Sequence, residues 1–146
     1  KAMALGVENK IVNVGHVPLS QGPELYRSCH LLFLPSVLET SSANYPEAMA
    51  MGLPIVTVGL NFAESACGSA AVYFEPMNHV SAALAITRLC KSEPLWEQLV
   101  QDGKEILHTL PTSTDRYELY KKYLKALLHS KKHVDFSTVQ EFSREG

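Results

Sequence analysis

An excess of basic charge is the first thing this sequence lacks. Lys and Arg number 13 against 15 Asp and Glu in 146 residues, a formal net charge of −2. A chain so balanced carries no electrostatic footprint for a phosphate backbone, which argues against nucleic acid as a partner. Cysteine is scarce as well: Cys29, Cys67 and Cys90 are an odd number, widely spaced and set in apolar segments. That pattern encodes neither a disulfide framework nor a metal site, and predicts reduced, buried thiols in a cytoplasmic protein. No apolar run approaches the roughly 20 residues that a membrane-spanning helix requires. Internal repeats and low-complexity stretches are also missing. What is present is a chain that is 46% hydrophobic, of a length at which one domain with a proper core is the default.

The stretch around which the rest is organised runs from Glu39 to Val56. Before it, Leu31 to Leu34 is an apolar run of strand length ended by Pro35 and Ser36. Thr40, Ser41, Ser42 and Asn44 then offer N-cap side chains, and Pro46 suits a first helical turn because its missing N–H would be unpaired there anyway. Glu47-Ala-Met-Ala-Met is good helix composition, Gly52 is placed to cap the helix, and Pro54 opens a second strand over Ile55 to Val58. In an open parallel sheet, a loop between the C-terminal end of a strand and the start of a helix is where ligands bind. Unpaired N–H groups from Ser41 to Asn44 and the helix dipole favour an anion at that place. Glu39 and Glu47 bracket the same loop and make poor phosphate ligands. They suit sugar hydroxyls on either side of a phosphate, or equally a solvated loop charge and a first-turn charge.

The run Glu39…Glu47-Ala-Met-Ala-Met-Gly-Leu-Pro-Ile-Val resembles the donor-site signature of the retaining GT-B glycosyltransferases of family four. The likeness extends to Val12-Asn-Val-Gly-His-Val17, to Leu25-Tyr-Arg-Ser-Cys-His-Leu-Leu-Phe-Leu-Pro-Ser36 and to Ala71-Val-Tyr-Phe-Glu-Pro76, covering roughly Asn9 to Leu128. One departure is the loop itself, where Thr40-Ser-Ser-Ala-Asn44 replaces a Gly-Phe-Gly type of sequence. The resemblance implies an α/β fold: a doubly wound, Rossmann-like parallel sheet with helices on both faces, the C-terminal half of a GT-B fold without its first strands. It implies transfer of a hexose from a nucleotide diphosphate sugar with retention, with no resident cofactor or metal, the nucleotide sugar being a substrate. Glu39 would bind a hydroxyl of the donor sugar at the catalytic centre, and Glu47 the ribose. The amides of Ser41, Ser42 and Ala43, with Asn44 beside them, would hold the distal phosphate, and Gly15, His16 and Val17 would lie by the base. An Arg and a Lys that clamp the diphosphate in the family belong to a segment ahead of this one. A glycan or lipid-linked acceptor would be bound through an N-terminal domain that these residues do not include, so the chain reads as part of a larger enzyme. Two other readings share the fold: a nucleotide-sugar epimerase, and a binding module that has lost its site.

The remaining segments are predicted in order. Lys1 to Leu5 reads as a helix end capped by Gly6, and Ile11 to Val14 as a buried parallel strand. Ser20 to Ser28 reads as a short helix with Pro23 in its first turn, His16 as a base-stacking or loop-lining residue rather than a catalytic one, Arg27 as solvated or structural and His30 as structural. A short helix follows Gly59, with Asn61 and Glu64 as weak ligand candidates, then a strand over Ala70 to Phe74. Asn78 caps a helix with Ala82, Ala85, Ile86 and Leu89 inward, and Ser92 opens another with Trp96, Leu99, Val100, Ile106 and Leu107 along one stripe. A last helix from Asp115 puts Tyr117, Tyr120, Leu124, Leu127 and Leu128 on one face. Lys121, Lys122 and Lys125 read either as a peripheral membrane contact or as ordinary solvated positions. Residues 1–130 are taken as the donor-binding domain and 131–146 as a polar tail.

Overall fold

The computed structural model describes residues 2–40 and 42–130. Ser41, expected in the ligand loop, and the expected tail 131–146 lie outside the described residues. The chain divides into two compact units, Lys1–His108 and Thr109–Gly146.

Three strands form the sheet of the first unit: β1 (Leu32–Leu34), β2 (Ile55–Val58) and β3 (Ala71–Phe74), in the order β1-β2-β3 and all parallel. Leu32 lies beside Ile55 and Ile55 beside Ala71, so the register brings the C-terminal ends of the strands to one edge. Between them run α2 (Asn44–Ala50) and α3 (Asn61–Cys67). Right-handed crossovers advancing in one direction place successive helices on the same face. Accordingly α2 and α3 share a cluster with Ile55 and Ala71, built of Tyr45, Ala48, Met49, Ala63 and Cys67. The other face carries Val56, Val58, Val72 and Phe74, packed against Ala82, Ala85 and Leu89 of α4 (His79–Cys90) and Leu99 of α5 (Glu93–Thr109). Strand β2, between two neighbours and two helical layers, is wholly buried. Its run of Ile55, Val56 and Val58, broken only by Thr57, suits a strand covered on both faces.

The punctuation follows local chemistry. Gly52 sits at φ +68°, and its N–H reaches Met49 O while that of Leu53 reaches Ala48 O, a Schellman ending that turns the chain from α2 into β2. A Cβ at buried Gly103 would lie 3.1 Å from Met49 Cγ, so glycine there lets α5 approach α2. Asn78 Oδ1 accepts the N–H groups of Val80 (3.1 Å) and Ser81 (3.0 Å), the expected cap of α4. Asn78→Ala is expected to lower stability by about 1 kcal/mol, the usual worth of such a cap. A urea midpoint unmoved from wild type would show that this cap contributes nothing. Ser92 Oγ accepts the N–H of Leu95 at the start of α5, again as expected.

Three expectations require correction. Residues 11–14 form no strand: Ile11, Val12 and Val14 are 61%, 83% and 58% exposed. An apolar run becomes a parallel strand only where a neighbour supplies ladder partners and helices cover both faces, and no described segment does so here. Helix α2 is preceded by Ala43, whose side chain cannot cap, so none of the candidate hydroxyls or amides plays that part; Pro46 stands within the first turn. The three cysteines are free, but only Cys67 is buried, where desolvation pushes its thiol up to about 12; Cys29 and Cys90 are exposed.

Before the sheet, a 3₁₀ turn over Leu19–Gln21 runs into α1 (Gly22–Arg27), with Pro23 in its first turn. In the second unit, α6 (Ser113–Ser130) begins with a reciprocal cap: Thr112 N–H donates to Asp115 Oδ2 at 2.8 Å and Asp115 N–H to Thr112 Oγ1 at 3.1 Å. The Thr112 hydroxyl, donating to Asp115 Oδ2 at 2.7 Å, and then the Thr112 N–H hold the Asp115 carboxyl below its usual range. Tyr117, Tyr120, Leu124, Leu127 and Leu128 are exposed on it. Lys121 bonds Glu118 at 2.7 Å and lies 5.2 Å from the centre of the Tyr117 ring. Among the described residues no helix is long and apolar enough to cross a membrane.

Candidate ligand loop at the C-terminal edge of the sheet

Strand β1 ends at Leu34, and the loop that follows it carries Glu39, Ser42 and Ala43 before α2 begins at Asn44. It leaves the sheet at the edge where Val58 and Phe74 also end. Glu39 and Ser42 are half-buried, whereas Ala43, Asn44 and Glu47 are exposed. The backbone N–H groups that open α2 have no acceptor within the helix. The first helical bond of this stretch runs from Glu47 N–H to Ala43 O at 3.1 Å.

Beneath the loop, a buried chain of hydrogen bonds holds α2 to the sheet. Thr57 Oγ1 donates to the carbonyl of Leu34 at 2.9 Å and lies 2.9 Å from the hydroxyl of Tyr45. A threonine hydroxyl has one proton. With that proton on Leu34 O, the Tyr45 O–H is the donor to Thr57. Tyr45 is 1% exposed, and its burial raises its pKa, with the nearby Glu39 charge as a lesser contribution in the same direction. The second residue of α2 is therefore tied through the centre of the sheet to the last residue of β1, so that both ends of the ligand loop share one anchor.

Glu47 has a partner from another element. The hydroxyl of Tyr26, on α1, donates to Glu47 Oε2 at 2.9 Å and lies 3.4 Å from Asn44 Oδ1. The Tyr26 ring is half-buried against the cluster under α2. Its phenol is pushed up to about 12, first by burial, then by the hydrogen bond and charge of Glu47.

The expected base-side residues stand elsewhere. Gly15 adopts φ +65°, its N–H held by Asn13 Oδ1 at 2.9 Å; His16 is exposed and Val17 half-buried. His16 and Val17 line an open cavity of about 610 Å³ with Ser20, Glu24, Leu25 and Ser28 on and beside α1. Glu39, Ser42, Ala43, Asn44 and Glu47 thus gather on one loop and helix start. Gly15, His16 and Val17 form a second group, and α1 borders both through its opposite contacts. Of the other candidates, Arg27, His30, Asn61 and Glu64 are all exposed.

Tyr26, Tyr45 and Thr57 are the site residues that sequence reasoning missed. Tyr26 could be read only as an apolar contact of its helix. The alternation of Thr57 within an otherwise apolar strand was the one available sign of a buried hydroxyl. The charge of the edge is equally informative. Glu39, Glu47, Glu64 and Glu75 are carried by its loops and helix starts, and no Lys or Arg occurs in the sequence between Arg27 and Arg88. The described residues contain no group of three or more His, Cys, Asp and Glu able to hold a metal ion.

Residues 1–106 match the model of the family described as glycosyl transferases group 1. Mannosylfructose-phosphate synthase of Agrobacterium fabrum (strain C58 / ATCC 33970) is 29% identical over 116 residues, which is 78% of this chain and 26% of that protein. Sucrose-phosphate synthase from Thermosynechococcus elongatus superposes with a TM-score of 0.76 at 18% identity, over 86% of this chain and 33% of that one. The latter likeness is one of fold. The chain spans about a quarter of the length of the curated relative it matches.

Proposed function

Because the chain belongs to the glycosyl transferases group 1 family, we propose that it is the donor-binding part of a glycosyltransferase that moves a hexosyl group from a nucleotide diphosphate sugar to an acceptor with retention at the anomeric carbon. The observation that carries this reading is that Glu39, in the loop after β1, and Glu47, in the first turn of α2, flank the start of that helix at the sheet edge where such a ligand binds. Glu47 accepts hydrogen bonds from the ribose. The main-chain N–H groups of Ser41, Ser42 and Ala43, with Asn44, are assigned the distal phosphate, where they would stabilise the charge that grows on the leaving diphosphate. Glu39 binds a hydroxyl of the donor hexose, and Gly15, His16 and Val17 border the base. No resident cofactor or metal takes part in this scheme.

The acidic edge adds one requirement. A diphosphate brings several negative charges to a sheet edge whose loops and helix starts carry four carboxylates, and the sequence holds no Lys or Arg between Arg27 and Arg88 to offset them. In this reading the countercharge comes from outside that stretch, and the acceptor from a second domain. The curated relative is named for a phosphorylated product, which makes a sugar phosphate the first acceptor class to try, ahead of glycan or lipid-linked acceptors reached at a membrane.

Calorimetric titration of UDP, GDP and ADP into the full-length enzyme tests the assignment. One nucleotide is expected to bind selectively, and Glu47→Ala to weaken it about tenfold, the lower end of what a hydrogen bond to an exposed charged group contributes. Affinity unchanged by Glu47→Ala would sink the assignment. Product analysis with donor and acceptor together separates transfer from epimerisation, since an epimerase would alter the sugar nucleotide with no acceptor present.

A further inference from the structure

A glutamate on the exposed side of a short helix samples several rotamers, and ordering it on binding costs side-chain entropy. Glu47 is such a residue, yet the structure gives its carboxylate a fixed partner: the Tyr26 hydroxyl donates to Oε2 at 2.9 Å. Tyr26 is itself held, its ring packed against the cluster of Tyr45, Ala48 and Met49. The contact joins α1 to α2 across 21 positions of sequence.

We propose that Tyr26 is a positioning residue for the nucleotide: its hydroxyl holds one oxygen of Glu47 so that the other is presented, already oriented, to the vicinal hydroxyls of a ribose. The proposal rests on the reading of Glu47 as the ribose acceptor. A carboxylate offers about four lone-pair directions, so a bond to Oε2 leaves Oε1 wholly available to a pair of sugar hydroxyls. The phenol suits the task because it remains protonated, and hence a donor, across any pH at which the protein works, its pKa being pushed up to about 12. Its more distant contact with Asn44 Oδ1, at 3.4 Å, is too long to compete for that proton. A tyrosine acting in this way touches Glu47 and not the reacting atoms.

The experiment is a double-mutant cycle. Affinity for UDP, GDP and ADP is measured by calorimetry in the full-length enzyme, for wild type, Tyr26→Phe, Glu47→Ala and the pair. Tyr26→Phe keeps the packed ring and removes only the hydroxyl. It is expected to weaken the bound nucleotide about three- to tenfold in the wild-type background and to change nothing once Glu47 is alanine. In steady state the KM for the donor rises while kcat changes less, because a ribose contact is made alike in ground and transition states. A loss of equal size in both backgrounds, or no loss in the wild-type background, overturns the role of Tyr26 and leaves the donor site standing. Absence of binding by wild type to all three nucleotides overturns both. A second readout needs no change at Tyr26: the NMR resonance of its ring carbon Cζ at neutral pH is expected to shift in Glu47→Gln, and an unmoved resonance removes the contact on which the proposal depends.

Discussion

Thr57→Val is expected to destabilise the protein by about 1–3 kcal/mol, although valine nearly matches the shape of threonine. The substitution leaves the packing of β2 almost unchanged and deletes one hydroxyl. That hydroxyl serves two neighbours: the Leu34 carbonyl at 2.9 Å and the Tyr45 O–H at 2.9 Å. The Leu34 carbonyl loses this donor, and the Tyr45 O–H loses its acceptor and, at 1% exposure, has no access to water in exchange. A buried donor or acceptor left unmade carries a penalty of about 1–3 kcal/mol, larger than the net worth of the bond when formed. The same logic predicts a partial rescue. In the Thr57→Val background, Tyr45→Phe removes the orphaned donor and is expected to return about 1 kcal/mol. Urea denaturation of wild type and the two variants reads both quantities. A single mutant within about 0.5 kcal/mol of wild type, the range of an ordinary surface change, would show that the chain of hydroxyls contributes little. Because Tyr45 and Leu34 are the two anchors of the ligand loop, the unfolding defect should come with weaker nucleotide binding.

Leu89→Ala carries the other large effect, about 2–5 kcal/mol. Leu89 is 1% exposed and lies in the cluster of Val56, Val58, Val72, Phe74 and Leu99 that joins α4 and α5 to the sheet. Truncation removes buried methyl groups and leaves a hole enclosed by strands on one side and helices on the other, where relaxation is limited. Leu84→Ala on the same helix is the matching control: Leu84 is 64% exposed, and its loss should fall within about 0.5 kcal/mol of wild type. Equal effects at the two positions would contradict the assignment of α4's inner face.

What could be read from residues alone follows a simple division. From Pro35 to Val58 the rules are local: a strand-ending Pro, a first-turn Pro46, a glycine where φ must be positive, and a second Pro before β2. Each acts within a few residues, and the structure reproduces the strand, loop, helix and strand they predict. The inward positions Ala82, Ala85 and Leu89 follow from helical period alone and are buried. Ile11 to Val14 failed because pairing is non-local; the run is apolar enough for a strand, and composition cannot report whether a neighbour is there to receive it. The Tyr26–Glu47 bond escaped for the same reason, being a contact between two helices set by how each packs on the sheet. The α6 tyrosines and leucines were correctly placed along a helix, yet periodicity says where a face points and not what covers it. Within the candidate site, the pair Glu39 and Glu47 is what the signature proposes, whereas the buried hydroxyls of Tyr45 and Thr57 were not legible, since a threonine in a strand and a tyrosine in a helix look ordinary until they meet.

The order of the sheet has a consequence for how this chain is made. A ribosome delivers β1 first, then β2, then β3, and the sheet is laid down in that same sequence, edge to centre to edge. No described strand has to be inserted between two that are already paired, and each new strand adds to the edge left by the one before it. Each unit of strand, helix and strand can close over a short loop as it emerges, where the entropy of closure is smallest. The unpaired edge that β2 presents is covered as soon as β3 follows, which shortens the exposure of the central strand.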